Sequence, residues 1–257
     1  MDIAVASWSL RDSFKDGKTD YLKFPEMAAR ELGLKSIELN NVFMRSVERG
    51  YLEELRSAAK SAGVGIVNIA VDRTGDLSAG SESERAEALK KAMAYFEVAK
   101  IVGAPRFRVN SGGGKTPGEA EVANCIAAYR KLAEQGAREG VVVLMENHGG
   151  ISGRPEWIER VLEGVGSRFF RTCPDFGNFP EEIRYRGLAV AAKYADISHA
   201  KTYDFDAAGN ETTIDVPRCV KILADAGFRG TWSIEYEGKG DQFEGVRKTA
   251  ALLRRCG

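Results

Sequence analysis

Histidine is scarce in this 257-residue chain: His148 and His199 are the only two. Two imidazoles cannot supply a multinuclear metal site built mainly on histidine. Cysteine is almost as sparse. Cys125, Cys173, Cys219 and Cys256 lie far apart with no CxxC spacing, so neither a zinc knuckle nor a disulfide framework is indicated. Net charge is missing too, with 37 Lys plus Arg against 37 Asp plus Glu. A neutral chain has no sequence-wide pull toward nucleic acid or an anionic membrane. No apolar run approaches the roughly 20 residues that span a bilayer. The opening "MDIAVASWSLRDS" lacks the basic n-region and apolar core of a signal peptide. A cytoplasmic location is the expectation. Finally, no GxGxxG follows the first strand-like segment, which argues against an open doubly wound nucleotide-binding sheet.

What is present is an ordinary core-forming composition, 44% apolar and 29% charged. Short β-rich runs alternate with longer segments of helical period. The strand-like runs are IAVASWSL, KSIELN, VGIVNIAVD, PRFRVN, VVVLMENHGG, RFFRTCPDFGN, ADISHAK and GTWSIEYEG. Between them lie amphipathic stretches with recognisable ends. Gly33 and the glycine after SAAKSA act as stops, Ser81 with Glu84 reads as a capping box, and Asp215 reads as a cap. Leu89, Met93 and Phe96 form an apolar stripe at helical spacing. Eight βα units of about 32 residues each fit a single-domain (β/α)₈ TIM barrel over residues 1–257.

In such a barrel the loops at the C-terminal ends of the strands build the site. Four polar residues end otherwise apolar strands there: Glu146, Asp175, His199 and Glu235. Period-two alternation puts Glu146 and His148 on the face shared by Val142 and Leu144. It also separates Ser233, Glu235 and Glu237 from the bulky set Trp232, Ile234 and Tyr236. If the bulky set meets the helices, the acids point into the barrel, where an unpaired charge is costly. Three carboxylates and an imidazole suit a divalent cation, Mn²⁺, Mg²⁺ or Co²⁺, with Zn²⁺ also compatible.

The segments ENHGG, PDFGN, HAK and IEYEG resemble the xylose-isomerase-like superfamily of TIM barrels, and the resemblance extends over essentially the whole chain. In its epimerase branch Glu, Asp, His and Glu hold the metal in that order. The resemblance thus implies metal ligation by Glu146, Asp175, His199 and Glu235, with Glu146 and Glu235 as the acid/base pair. It also implies a sugar or keto-sugar substrate and, by analogy, a homo-oligomer. One position departs from the pattern. Asn178 stands where such epimerases often carry a substrate-contacting histidine, and His148 is a candidate to take over part of that work.

The expected chemistry is proton abstraction next to a carbonyl, through an enediolate, ending in epimerisation or isomerisation. Expulsion of a β-leaving group from the same species gives a lyase or dehydratase, with His148 as base. Lys201, Asn178, Glu38, Glu237 and Trp8 are the expected substrate contacts. For Glu38 the plainer alternative is a pairing with Arg73, and for Trp8 it is simple packing. The glycines of SGGGK read as a flexible loop rather than a phosphate cradle, because no P-loop spacing surrounds them. A DNA-repair nuclease and a non-catalytic barrel are the competing functional classes.

Overall fold

The computed structural model describes residues 1–257. Eight parallel strands run in the order β6-β5-β4-β3-β2-β1-β8-β7. They are β1 Ile3–Ala6, β2 Ser36–Asn40, β3 Gly65–Val71, β4 Arg106–Val109, β5 Val142–Glu146, β6 Phe170–Cys173, β7 Ile197–Thr202 and β8 Thr231–Tyr236. Nine helices surround them: α1 Arg11–Lys15, α2 Phe24–Glu31, α3 Arg49–Ala62, α4 Glu82–Val102, α5 Glu119–Glu139, α6 Pro155–Val165, α7 Arg184–Ala192, α8 Val216–Asp225 and α9 Gln242–Cys256. The edges β6 and β7 meet through isolated pairings, Thr172 with Ala195 and Asp175 with His199. There the His199 N–H donates to the Pro174 carbonyl at 3.0 Å, and the Phe176 N–H donates to the His199 carbonyl at 3.1 Å. The result is the expected TIM barrel, nearly closed, with its seam running through two of the four strand-end residues. No helix is long and apolar enough to cross a membrane.

The local signals explain most boundaries. Gly63 ends α3 in the left-handed region at φ 67°, a conformation that costs glycine little. The Ser81 hydroxyl accepts the Glu84 N–H at 3.4 Å, so the serine half of the expected box forms. Asp215 caps α8 by accepting the Arg218 N–H at 3.0 Å. The first strand is shorter than its sequence suggests. It stops at Ala6, and Ser7–Leu10 form a 3₁₀ turn that runs into α1. Serine side chains take over the bonds a longer strand would have made. Ser9 Oγ donates to the Ile234 carbonyl and accepts the Tyr236 N–H, both at 2.8 Å. Ser7 Oγ accepts the Asn40 N–H at 2.9 Å.

Alternation along the strands divides the molecule into two interiors. Trp232, Ile234, Tyr236, Phe107, Val109, Val143 and Met145 belong to the large apolar core between sheet and helices. The barrel lumen has its own small apolar floor of Leu144, Cys173 and Ile197. The residues that follow these on the same face are Glu146, His199 and Lys201. Register then sets neighbours: Lys201 lies beside Glu235, His199 beside Ser233, and Glu38 beside Asn68. The lumen therefore turns from apolar to charged toward the C-terminal ends of the strands.

Candidate metal centre

Glu146, Asp175, His199 and Glu235 are all buried, and one ligand atom from each lies within 4.8 Å of the others. His199 Nδ1 is 2.8 Å from Glu146 Oε1, 3.6 Å from Glu235 Oε1 and 3.9 Å from Asp175 Oδ2. The ring's other nitrogen, Nε2, is 2.8 Å from Glu38 Oε1. With a cation bound, a proton on Nε2 donated to Glu38 would leave the Nδ1 lone pair to face it, the arrangement by which an outer carboxylate orients a metal-ligating histidine; without one, Nδ1 carries a proton toward Glu146 Oε1. Burial disfavours the imidazolium, but neighbouring Cys173 and the carboxylates of Glu38, Glu235 and Glu146 outweigh it and raise the His199 pKa well above its ordinary value.

Asp175 supplies the test of whether a cation fits. Pro174 ends β6, since it cannot donate to the ladder. Asn147 then fixes the next residue, accepting the Asp175 N–H at 2.7 Å and donating to its carbonyl at 3.0 Å. Asp175 Oδ1 accepts the N–H groups of Gly177 and Asn178 at 2.7 and 2.8 Å. Its second oxygen, Oδ2, is buried, accepts no hydrogen bond and faces the cluster. Burial pushes this carboxyl up to about 7, with repulsion from Glu235 and Glu146 opposing the pull of Lys201. A carboxylate oxygen without a hydrogen bond, amid two further carboxylates and an imidazole, completes a donor set that a divalent cation satisfies.

Fixed cations hold the remaining acids. Arg108 is buried, and its Nε lies 3.1 Å from Glu146 Oε2, an ion pair whose angle is poor for a hydrogen bond. Its Nη1 donates to Asp72 Oδ1 at 2.5 Å. Burial alone would raise the Glu146 pKa, but Arg108 and His199 hold it well below the usual carboxylate range. Lys201 Nζ lies 3.0 Å from Glu235 Oε2, 3.4 Å from Asp175 Oδ2 and 3.5 Å from Glu237 Oε1. Burial raises the Glu235 pKa less than Lys201 and His199 lower it, so the net shift is downward.

The other expected residues divide. Asn178 bridges the cluster, donating to Glu146 Oε1 at 3.1 Å and accepting from Lys201 at 2.9 Å. Glu237 accepts the Trp8 indole N–H at 2.7 Å, linking both to Lys201. Glu38 is buried against His199 and accepts from Asn68 Nδ2 at 3.1 Å, while Arg73 is exposed and makes no pair with it. His148 is exposed on the loop after β5, and only its backbone N–H is bonded here, to Ser152 Oγ at 3.0 Å. The SGGGK loop is no open cradle, because the Gly113 N–H already donates to both oxygens of Asp76, at 3.1 and 3.0 Å. Sequence reasoning missed Arg108, Asp72, Asn68 and Asn147. A signal existed for Arg108: in "RFRV" the two arginines alternate with Phe107 and Val109, which belong to the helix side.

A family model described as xylose isomerase-like TIM barrel matches residues 27–256. The fold superposes on an L-ribulose 3-epimerase with a TM-score of 0.79 at 16% identity, covering 99% of this chain and 93% of that one. It superposes on the 3-keto-D-glucoside 4-epimerase of E. coli with a TM-score of 0.73 at 19% identity, covering 92% and 95%. At those identities the likeness is one of fold. The C-glycoside deglycosidase alpha subunit of Arthrobacter globiformis is 41% identical over 83 residues, which is 27% of this chain and 24% of that protein. The match thus spans about a quarter of that relative's length.

Proposed function

This chain belongs to the xylose isomerase-like TIM-barrel family, and we propose that it is a divalent-metal-dependent isomerase or epimerase of a sugar or keto-sugar, acting by proton abstraction through an enediolate. The observation that carries this reading is the convergence of Glu146, Asp175, His199 and Glu235, with Asp175 Oδ2 accepting no hydrogen bond among them. The residues that would hold the metal, Mn²⁺, Mg²⁺ or Co²⁺ with Zn²⁺ also compatible, are these four. When bound, the cation supplies Lewis-acid polarisation of a carbonyl and its neighbouring hydroxyl, which acidifies the C–H between them.

The chain's own residues do the proton work. Glu146, kept ionised by Arg108, is the base for one face of the substrate. Glu235, on the far side of the barrel seam, serves the other face. Proton return from the opposite glutamate inverts the centre, and return to the neighbouring carbon isomerises the sugar. Lys201 and Asn178 lie beside both acids and orient the developing oxyanion. Glu38 acts on His199 rather than on substrate. The protein is expected to work in the cytoplasm as a homo-oligomer on a small molecule, with no nucleic-acid partner.

A second reading, a lyase that expels a β-substituent from the same enediolate, is favoured by the likeness to the deglycosidase alpha subunit. Exposed His148, two residues past Glu146, is the additional base it would use.

The test is hydrogen exchange. Protein loaded with Mn²⁺ is incubated with a panel of ketoses and 3-keto-glycosides in D₂O and followed by NMR. Deuterium entering the carbon next to the carbonyl is expected, and Glu146→Gln should slow it by at least about 100-fold. A released aglycone points to the lyase. Absence of exchange with every substrate, together with no metal retained after purification without chelator, leaves the non-catalytic barrel.

A further inference from the structure

A chamber of about 480 Å³ opens over the C-terminal ends of β1, β2 and β3, and none of the four candidate ligands lines it. Its walls are aromatic. Phe14 and Phe43 stack with ring centroids 5.0 Å apart at 19°, and Trp8 lies 5.9 Å from Phe43. All three are only half-buried, so part of each ring faces the cavity. Its rim is cationic. Lys15, Arg45 and Arg73 line it with one acid, Asp20, which pairs with Arg45 at 3.2 Å. Lys15 and Arg73 make no ion pair.

Arg73 is held there by the backbone. It is the single residue other than glycine with positive φ, 61°, in the left-handed region that side-chain-bearing residues seldom adopt. Asn41 pins the preceding peptide, accepting the Asp72 N–H at 2.7 Å and donating to the Asp72 carbonyl at 3.0 Å. Such a conformation persists where its surroundings enforce it, and functional rims are where these collect.

The chamber connects to the acid cluster through one side chain. Trp8 lines it, and the Trp8 indole N–H donates to Glu237, which is 3.5 Å from Lys201. We propose that this chamber is a subsite for a planar aromatic group bearing a negative charge, carried as a substituent on the sugar that reaches the cluster. Aromatic walls select a flat π-face, and two unpaired cations select an anion. A bare phosphate fits poorly, since the walls offer rings where phosphate sites offer backbone N–H groups. The proposal rests on the sugar-enzyme reading for what the aromatic group is attached to, while the subsite itself is testable without turnover.

The test is calorimetric titration of the full chain with 4-hydroxybenzoate, cyclohexanecarboxylate, phenol and inorganic phosphate. 4-Hydroxybenzoate should bind one to one and at least about tenfold more tightly than the other three. Phe43→Leu should weaken it about tenfold, and so should Lys15→Gln combined with Arg73→Asn, asparagine being tolerant of positive φ. Glu235→Gln should leave the affinity unchanged. The subsite is overturned if the four probes bind alike or not at all, if both sets of chamber variants keep full affinity, or if Glu235→Gln abolishes binding. Failure of the hydrogen-exchange experiment with intact 4-hydroxybenzoate binding refutes the enzymatic reading alone. Exchange on ketoses without probe binding refutes the subsite alone.

Discussion

Replacing Arg108 with methionine removes the one guanidinium that faces Glu146 while preserving most of the side chain's volume. The loss falls unequally on its two partners. The Asp72 side chain is 23% exposed and keeps bonds from Asn40 at 2.9 Å and Asn110 at 3.2 Å, with water to replace the rest. Glu146 is 1% exposed and keeps only His199 and Asn178. Breaking a buried pair by deleting one member costs about 3–5 kcal/mol, because the survivor stays buried and uncompensated. The two remaining partners argue for the lower end, about 3 kcal/mol. For a chain of this size each kcal/mol moves Tm by about 2–4 °C, so the metal-free variant should melt about 6–12 °C below the parent at pH 7.

The pH dependence of that difference has a definite sign. Glu146 is held below its unfolded pKa of about 4.3, so its stabilisation is present above that value and is lost as pH falls through the folded one. The gap between parent and Arg108→Met should therefore be widest near neutrality and shrink below about pH 4. Arg108→Lys, which keeps the charge but cannot span both carboxylates, should fall between. Calorimetric melts at pH 7 and about pH 3 decide the matter. A drop smaller than about 2 °C at pH 7, or a gap that widens in acid, would mean that Arg108 does not neutralise Glu146.

Glu38→Gln should weaken Mn²⁺ binding about tenfold and Glu38→Ala up to about 100-fold, because His199 loses the carboxylate that fixes its tautomer; calorimetric titration showing equal affinities removes that role. Mn²⁺ affinity in the parent protein should rise with pH through about 7, where Asp175 gives up the proton that competes with the cation. Titrations at pH 6 and pH 8 that return the same affinity would show that Asp175 is already ionised or is not a ligand.

The parts of this molecule legible from its sequence are those encoded by local period and by strand ends. The alternation of Trp232, Ile234 and Tyr236 with Ser233 and Glu235 assigns each to its side of the sheet, and the structure keeps that assignment. The three carboxylates and the imidazole follow because consecutive strands from β5 to β8 supply one each: Glu146 ends β5, Asp175 lies just past β6 and Glu235 stands next to the end of β8, whereas His199, expected at a strand end, lies within β7, which runs on to Thr202. What local period cannot encode is which atom meets which across the lumen. Glu38 and His199 are 161 residues apart, on strands whose relative height is fixed only when the sheet curls through β1 and β8. A carboxylate at the end of β2 reads equally well as a substrate contact until that closure brings it to the far nitrogen of the imidazole. The same holds for Arg108: alternation points it inward, but charged side chains are so seldom buried that composition alone steers the reader away. Its burial becomes intelligible only beside Glu146 and Asp72, which β5 and the loop after β3 deliver from either side. The residues that orient and charge the cluster are thus products of barrel closure, whereas its candidate metal ligands are visible strand by strand. It follows that a variant displacing the β6–β7 seam, where isolated backbone bonds at His199 stand in for a continuous ladder, should disperse the ligands while leaving the helices and the outer core intact.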